Sequence, residues 1–155
     1  MALTYVDPNT ATALNRLRRQ WLALALLYAG LVALAYLLLS ELWLPARAAQ
    51  WALLAGLALT YQLVTLWRRL PDNHRPGEAA LLPTLGLANL LSLLRGLLLG
   101  FLAGFLFQPW PSGWLAWAPG ALYTAANVID FFDGLAARLT NQTTRLGTAL
   151  DTELD

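Results

Sequence analysis

The chain has 155 residues, 58% of them hydrophobic and 12% charged, with a net charge of +1, against roughly 45–50% apolar and about 25% charged in soluble domains. That balance describes a membrane protein, and the near-zero charge excludes the basic footprint of nucleic-acid binding. There is no cysteine, which excludes disulfides, thiolate catalysis and Cys-ligated metal sites.

A transmembrane helix needs about 20 mostly apolar residues. Four stretches qualify: Trp21 to Leu44, Ala48 to Trp67, about Asn89 to Phe107, and Trp114 to about Phe132. The breaks between them carry Pro and Gly: Pro45-Ala46-Arg47, then Arg68 to Glu78, then Gln108 to Gly113. These residues punctuate helices. All seven Trp lie at or near a span end, as in an aromatic belt. The first span is longer than the h-region of a cleaved leader, so it reads as a retained signal anchor despite Ala46-Arg47-Ala48 after it. The sequence therefore predicts an all-α polytopic bundle of four transmembrane helices plus the start of a fifth. Residues 1–80 form a two-span extension and 81–155 a second unit.

Every basic residue is arginine. Arg16, Arg18 and Arg19 precede span one, Arg68, Arg69 and Arg75 follow span two, and Arg138 and Arg145 follow span four; the alternate loops hold Arg47 alone. By the positive-inside rule the N-terminus and the region after span four face the cytoplasm.

That region carries the most informative pattern in the chain: Asp130-x2-Asp133-Gly134-x2-Ala137-Arg138-x8-Gly147-x3-Asp151-x3-Asp155. From average residue usage, a given start position matches it by chance on the order of once in 10⁹ or less. Asp130 and Asp133 share a helix face at spacing three, and Asp151 and Asp155 share one at spacing four. Residues 139–146, with Asn, Gln and three Thr, suit a turn. A hairpin there would bring four carboxylates into one space, where their repulsion calls for cations. Hard oxygen donors favour Mg²⁺ or Mn²⁺ over zinc.

Upstream, Asn89, Ser92 and Arg95 are spaced by three and form a polar stripe in span three. Tyr123, Asn127 and Asp130 form another in span four. Asn127 suits either support of a metal ligand or a bond to another helix. His74, the sole histidine, reads as a solvated loop residue.

The long pattern resembles the signature of the CDP-alcohol phosphatidyltransferases at every fixed position, and Asn89, Ser92 and Arg95 resemble the Asn-x2-Thr-x2-Arg element of that family's first core helix. The resemblance implies an integral membrane enzyme of phospholipid synthesis. Such an enzyme transfers a substituted phosphate from a CDP-linked lipid donor to an alcohol acceptor and releases CMP. It implies a two-metal site at Asp130, Asp133 and Asp151, with Asp155 completing the acidic set as the general base. Gly134, Ala137 and Gly147 would let the CDP moiety approach helix backbones, Arg138 would clamp the diphosphate, and Asn89, Ser92 and Arg95 would line the donor site. It also implies a homodimer in a bacterial or archaeal cell membrane, with the site facing the cytoplasm.

The family core is a six-helix bundle, whereas this chain stops at Asp155, where core helix three should begin. The expectation is an incomplete, inactive gene product, with frayed structure after Gly147 and an open Asp cluster. Rival readings are a membrane prenyltransferase, a non-catalytic scaffold and a divalent-cation-binding membrane protein. The first wants Asn directly before the first Asp, and Asn127 stands three residues away.

Overall fold

A computed structural model describes residues 8–78, 80–140 and 144–154, with side chains described over 9–78, 80–132, 144–150 and at 152. Among the described residues there are five α-helices and no strand: α1 Pro8–Leu42, α2 Pro45–Arg69, α3 Gly86–Ala103, α4 Ala118–Thr140 and α5 Arg145–Leu154. Two 3₁₀ turns, Leu70–Asp72 and Gly113–Trp117, join α2 to α3 and α3 to α4. The all-α reading holds. Three helices, α1, α2 and α3, are long and apolar enough to cross a membrane. The expected fourth span falls on α4, whose far end carries Asp130, Asp133 and Arg138.

The helix α1 begins well before the expected span. Its 35 residues cover about 50 Å at 1.5 Å per residue, longer than a hydrocarbon core of about 30 Å. The added turns are amphipathic: Ala13 and Leu17 are buried, whereas Arg16, Arg18 and Arg19 are exposed. Pro45 occupies the first turn of α2, where its missing N–H leaves no bond unmade, so α1 and α2 form a tight antiparallel hairpin.

The packing of α3 on α2 is set by glycines. Gly96, Gly100 and Gly104 recur every four residues along one face. A Cβ at each would run into Gln62, Leu59 and Trp51 of α2, respectively. Small residues at this spacing let helix backbones approach in lipid. Polar tips then close on main-chain carbonyls of neighbouring helices: Tyr28 Oη donates to Leu93 O at 2.7 Å, Trp51 Nε1 to Phe101 O at 3.1 Å and Trp21 Nε1 to Leu63 O at 2.8 Å. In an apolar surrounding an unpartnered indole or phenol would be costly.

The core lies in three clusters along the bundle. One end is packed by Leu39, Ala48, Trp51, Ala55 and Leu115, the middle by Tyr28, Leu59 and Leu97. The other end joins Leu17, Leu66, Leu70, Leu85 and Leu93 to Leu146 and Leu150 of α5. The outward faces are apolar instead, with Leu26, Leu34, Leu53 and Phe131 all more than half exposed. So large an apolar surface is what lipid covers.

The helix α5 corrects the expectation of fraying after Gly147. It is helical from Arg145 to Leu154, two residues earlier than expected at its start, and Leu146 and Leu150 are fully buried.

Candidate active site at the acidic end of the bundle

The helix α3 organises the site. Residues three apart on an α-helix fall about 60° short of a full turn, so Asn89 and Arg95 are separated by about 120° round the axis. That drift hands the polar stripe from one neighbour to the other: Asn89 meets α5, and Arg95 meets α4. The turn into α3 is made by Gly86, whose φ of 77° lies where side chains are disfavoured.

Arg95 and Asp130 form an ion pair at 2.7 Å, with the arginine side chain 13% exposed and the aspartate 50%. A charge-assisted bond of this length is among the stronger polar contacts. It also offsets the insertion cost of an arginine inside an apolar helix, about 2.5–3.5 kcal/mol at mid-membrane. Ser92 is buried, and its Oγ donates to Ala88 O at 3.3 Å on its own helix.

On α4, Asp130 and Asp133 lie three apart and Gly134 lies one turn beyond Asp130, so the register expected from spacing is present in the helix. The side chains of Asp133, Ala137 and Arg138 and the environment of Gly134 lie outside the described residues. Asn127 is exposed, and its Nδ2 donates to Tyr123 O at 2.8 Å. It therefore bonds its own helix.

On α5, Thr144 is the N-cap. Its Oγ1 accepts from Gly147 N at 3.0 Å, the third helical position, as an N-cap threonine should. The same hydroxyl meets Asn89, accepting from Nδ2 at 3.3 Å and lying 3.4 Å from Oδ1. A Cβ on Gly147 would fall 2.7 Å from Asn89 Oδ1 and 3.3 Å from Thr144 Oγ1, so the glycine is required by the contact between α5 and α3. Asp151 follows Gly147 by four residues and lies on the same face of α5. The side chain of Asp151, and Asp155 altogether, lie outside the described residues.

Thus α3 binds both halves of the acidic pattern, Asp130 through Arg95 and the Gly147 turn through Asn89. Sequence reasoning found these four residues but missed Thr144, although a Thr before an apolar-periodic run is a capping signal. It also missed Asn73, fully buried between α2 and α3, which no local pattern marks.

A divalent metal is tested by the chemistry of the donors. The pattern supplies carboxylates alone, hard ligands for Mg²⁺ or Mn²⁺. Asp130 is half exposed and uses Oδ1 toward Arg95, and a carboxylate accepts at both oxygens, so this residue fits a shared role. Among the described residues no three acidic or histidine side chains form a cluster.

These features describe an all-helical bundle with three helices apolar enough to cross a membrane, in which α3 ties Asp130 of α4 and the Thr144–Gly147 turn of α5 together at one end. Residues 85–155 match the family model for CDP-alcohol phosphatidyltransferase. No curated protein and no solved structure matches the chain. The matched region contains every residue of the acidic pattern together with Asn89, Ser92 and Arg95. The family's chemistry is phosphatidyl transfer involving a CDP-alcohol in phospholipid synthesis, generally with divalent cations, and the three apolar helices suit its place in the membrane.

Proposed function

We propose that the chain carries the donor-binding half of a phosphatidyltransferase site that uses a CDP-linked lipid such as CDP-diacylglycerol and transfers its phosphatidyl group to an alcohol. The observation that carries this reading is the double tie of α3, Arg95 to Asp130 at 2.7 Å and Asn89 to the Thr144–Gly147 turn. It supports a single site built from both halves of the pattern. Asp130, Asp133, Asp151 and Asp155 would hold Mg²⁺ or Mn²⁺, which supplies neutralisation of charge on the attacking and leaving oxygens.

The protein's own part is positioning and proton transfer. Arg138 offers a bidentate fork to the diphosphate. Gly134 and Ala137 leave the backbone of α4 open to the nucleotide. Arg95 fixes the orientation of Asp130. As the acceptor oxygen bonds to the lipid-linked phosphorus, the bond from that phosphorus to CMP breaks. Asp155 takes the hydroxyl proton, since a carboxylate crowded by others is a stronger base than usual. The arginines at the ends of α1 and α2 support a cytoplasmic position for the site.

Mn²⁺ binding to the full chain in lipid nanodiscs, followed by electron paramagnetic resonance, tests the reading. CMP should tighten Mn²⁺ binding and AMP should not, and Asp130→Asn should weaken it at least about tenfold. Binding indifferent to cytidine would favour a cation-binding membrane protein and sink the transferase.

A further inference from the structure

We infer that Asn73, on the connection between α2 and α3 and outside the family-matched region, is a positioning residue for the acidic site: it anchors the start of α5 and so sets where Asp151 stands. The inference rests on the transferase reading above.

Asn73 is 0% exposed, though asparagine is among the residues least often found inside. Its amide works in both directions. Nδ2 donates to Leu82 O at 3.0 Å and Thr84 O at 2.8 Å, closing the connection on itself, and Oδ1 accepts from Asn89 Nδ2 at 3.3 Å. Asn89 in turn meets the Thr144 hydroxyl that caps α5. The next residue adds a backbone tie, for His74 O accepts from Arg145 N at 3.2 Å. Two consecutive residues of the connection therefore hold the first turn of α5, one through side chains and one through the main chain.

The helix needs such anchors. Its ten residues fall short of the roughly 12–15 below which an isolated helix is marginal. Leu146 and Leu150 fix its apolar face against α2 and α3, but apolar packing tolerates sliding that directional bonds do not. Aspartate at position 73 would set a carboxylate against two carbonyls, and leucine would remove the donor to both of them and the tie to Asn89, whose Nδ2 would keep its 2.6 Å bond to Leu85 O.

The test combines amide hydrogen exchange with Mn²⁺ titration on the full chain in nanodiscs. Asn73→Ala should speed exchange over residues 146–150 at least about tenfold and raise the Kd for Mn²⁺ by about tenfold, in the range for groups that support metal ligands. Ser40→Ala removes a side-chain hydrogen bond at the opposite end of the bundle, beside the Leu39 cluster, and should leave both readouts at wild type. Thr144→Val acts at the far end of the same chain of bonds and should reproduce Asn73→Ala, with Thr144→Ser restoring it; this pair carries the test if Asn73→Ala does not fold. Unchanged exchange and Mn²⁺ affinity in a folded Asn73→Ala protein would overturn the inference while the transferase reading stands. A wild-type chain that binds no Mn²⁺ would overturn that reading and the functional half of the inference, with exchange still deciding whether Asn73 holds α5.

Discussion

The two halves of α3 put the same helix to opposite uses. Its C-terminal half carries a row of glycines, Gly96, Gly100 and Gly104, into which Gln62, Leu59 and Trp51 of α2 are pressed. Its N-terminal half carries hydrogen-bonding groups, of which Asn89 reaches the cap of α5 and Arg95 reaches α4. Close backbone approach is what makes a helix pair rigid in lipid, and a rigid α2–α3 pair is what a precise polar stripe needs beside it. The comparison implies that substitutions in the polar half should change chemistry with little effect on stability, and those in the glycine half the reverse.

The largest effect should come from Arg95. Arg95→Leu removes the partner of Asp130 and should lower CMP release from CDP-diacylglycerol by about 10²–10³-fold, as loss of one preorganised charged donor does. The assay belongs to a preparation in which the wild-type site turns over. Arg95→Lys should fall between, because an ammonium keeps the charge but not the fork. If the unfolding midpoint in mixed micelles dropped in parallel with activity, the two halves of α3 would not be separable.

Gly104→Ala comes next, and should act on stability alone. The backbone there is ordinary right-handed helix, with φ of −57°, so alanine meets no conformational barrier. Its Cβ would, however, overlap the Trp51 ring at Nε1 and displace the bond to Phe101 O. Overpacking of this kind costs about 1–3 kcal/mol. A change in Mn²⁺ affinity beyond about twofold would show that strain in the glycine half reaches the carboxylates.

How much of this was legible beforehand follows from the range of each interaction. The helices and the Pro45 hairpin were readable because apolar runs and proline act locally. The acidic pattern was readable because its spacing is long and fixed. The start of α1 at Pro8 was missed because Arg16, Arg18 and Arg19 look like the flank of a span, although Ala13 and Leu17 between them keep a helical apolar face. Arg95 and Asp130 were each singled out, yet their pairing joins residues 35 apart in sequence and depends on how α3 and α4 rotate against each other. Asn73 was invisible for the same reason: between Asp72 and His74 it reads as solvated loop, and it is buried because α3 and α5 close over it.

The smallest predicted effect is the sharpest probe of how well the acidic site is insulated from the packing of α1 and α2 against α3. Leu93 sits in sequence between Ser92 and Arg95, but its carbonyl accepts from Tyr28 Oη at 2.7 Å and Gln62 Nε2 at 3.4 Å. Tyr28→Phe deletes the stronger donor without changing the shape of the ring, and the glutamine keeps the carbonyl partnered. The loss should be about 1 kcal/mol, that of a single net hydrogen bond, read as a small fall in the unfolding midpoint. Because the deleted bond touches the backbone of the very turn that bears Arg95, any distortion would be transmitted directly to Asp130. An unchanged Mn²⁺ affinity in Tyr28→Phe would mean that the helix backbone, held by its own hydrogen bonds and by the glycine contacts, isolates the acidic site from the packing behind it.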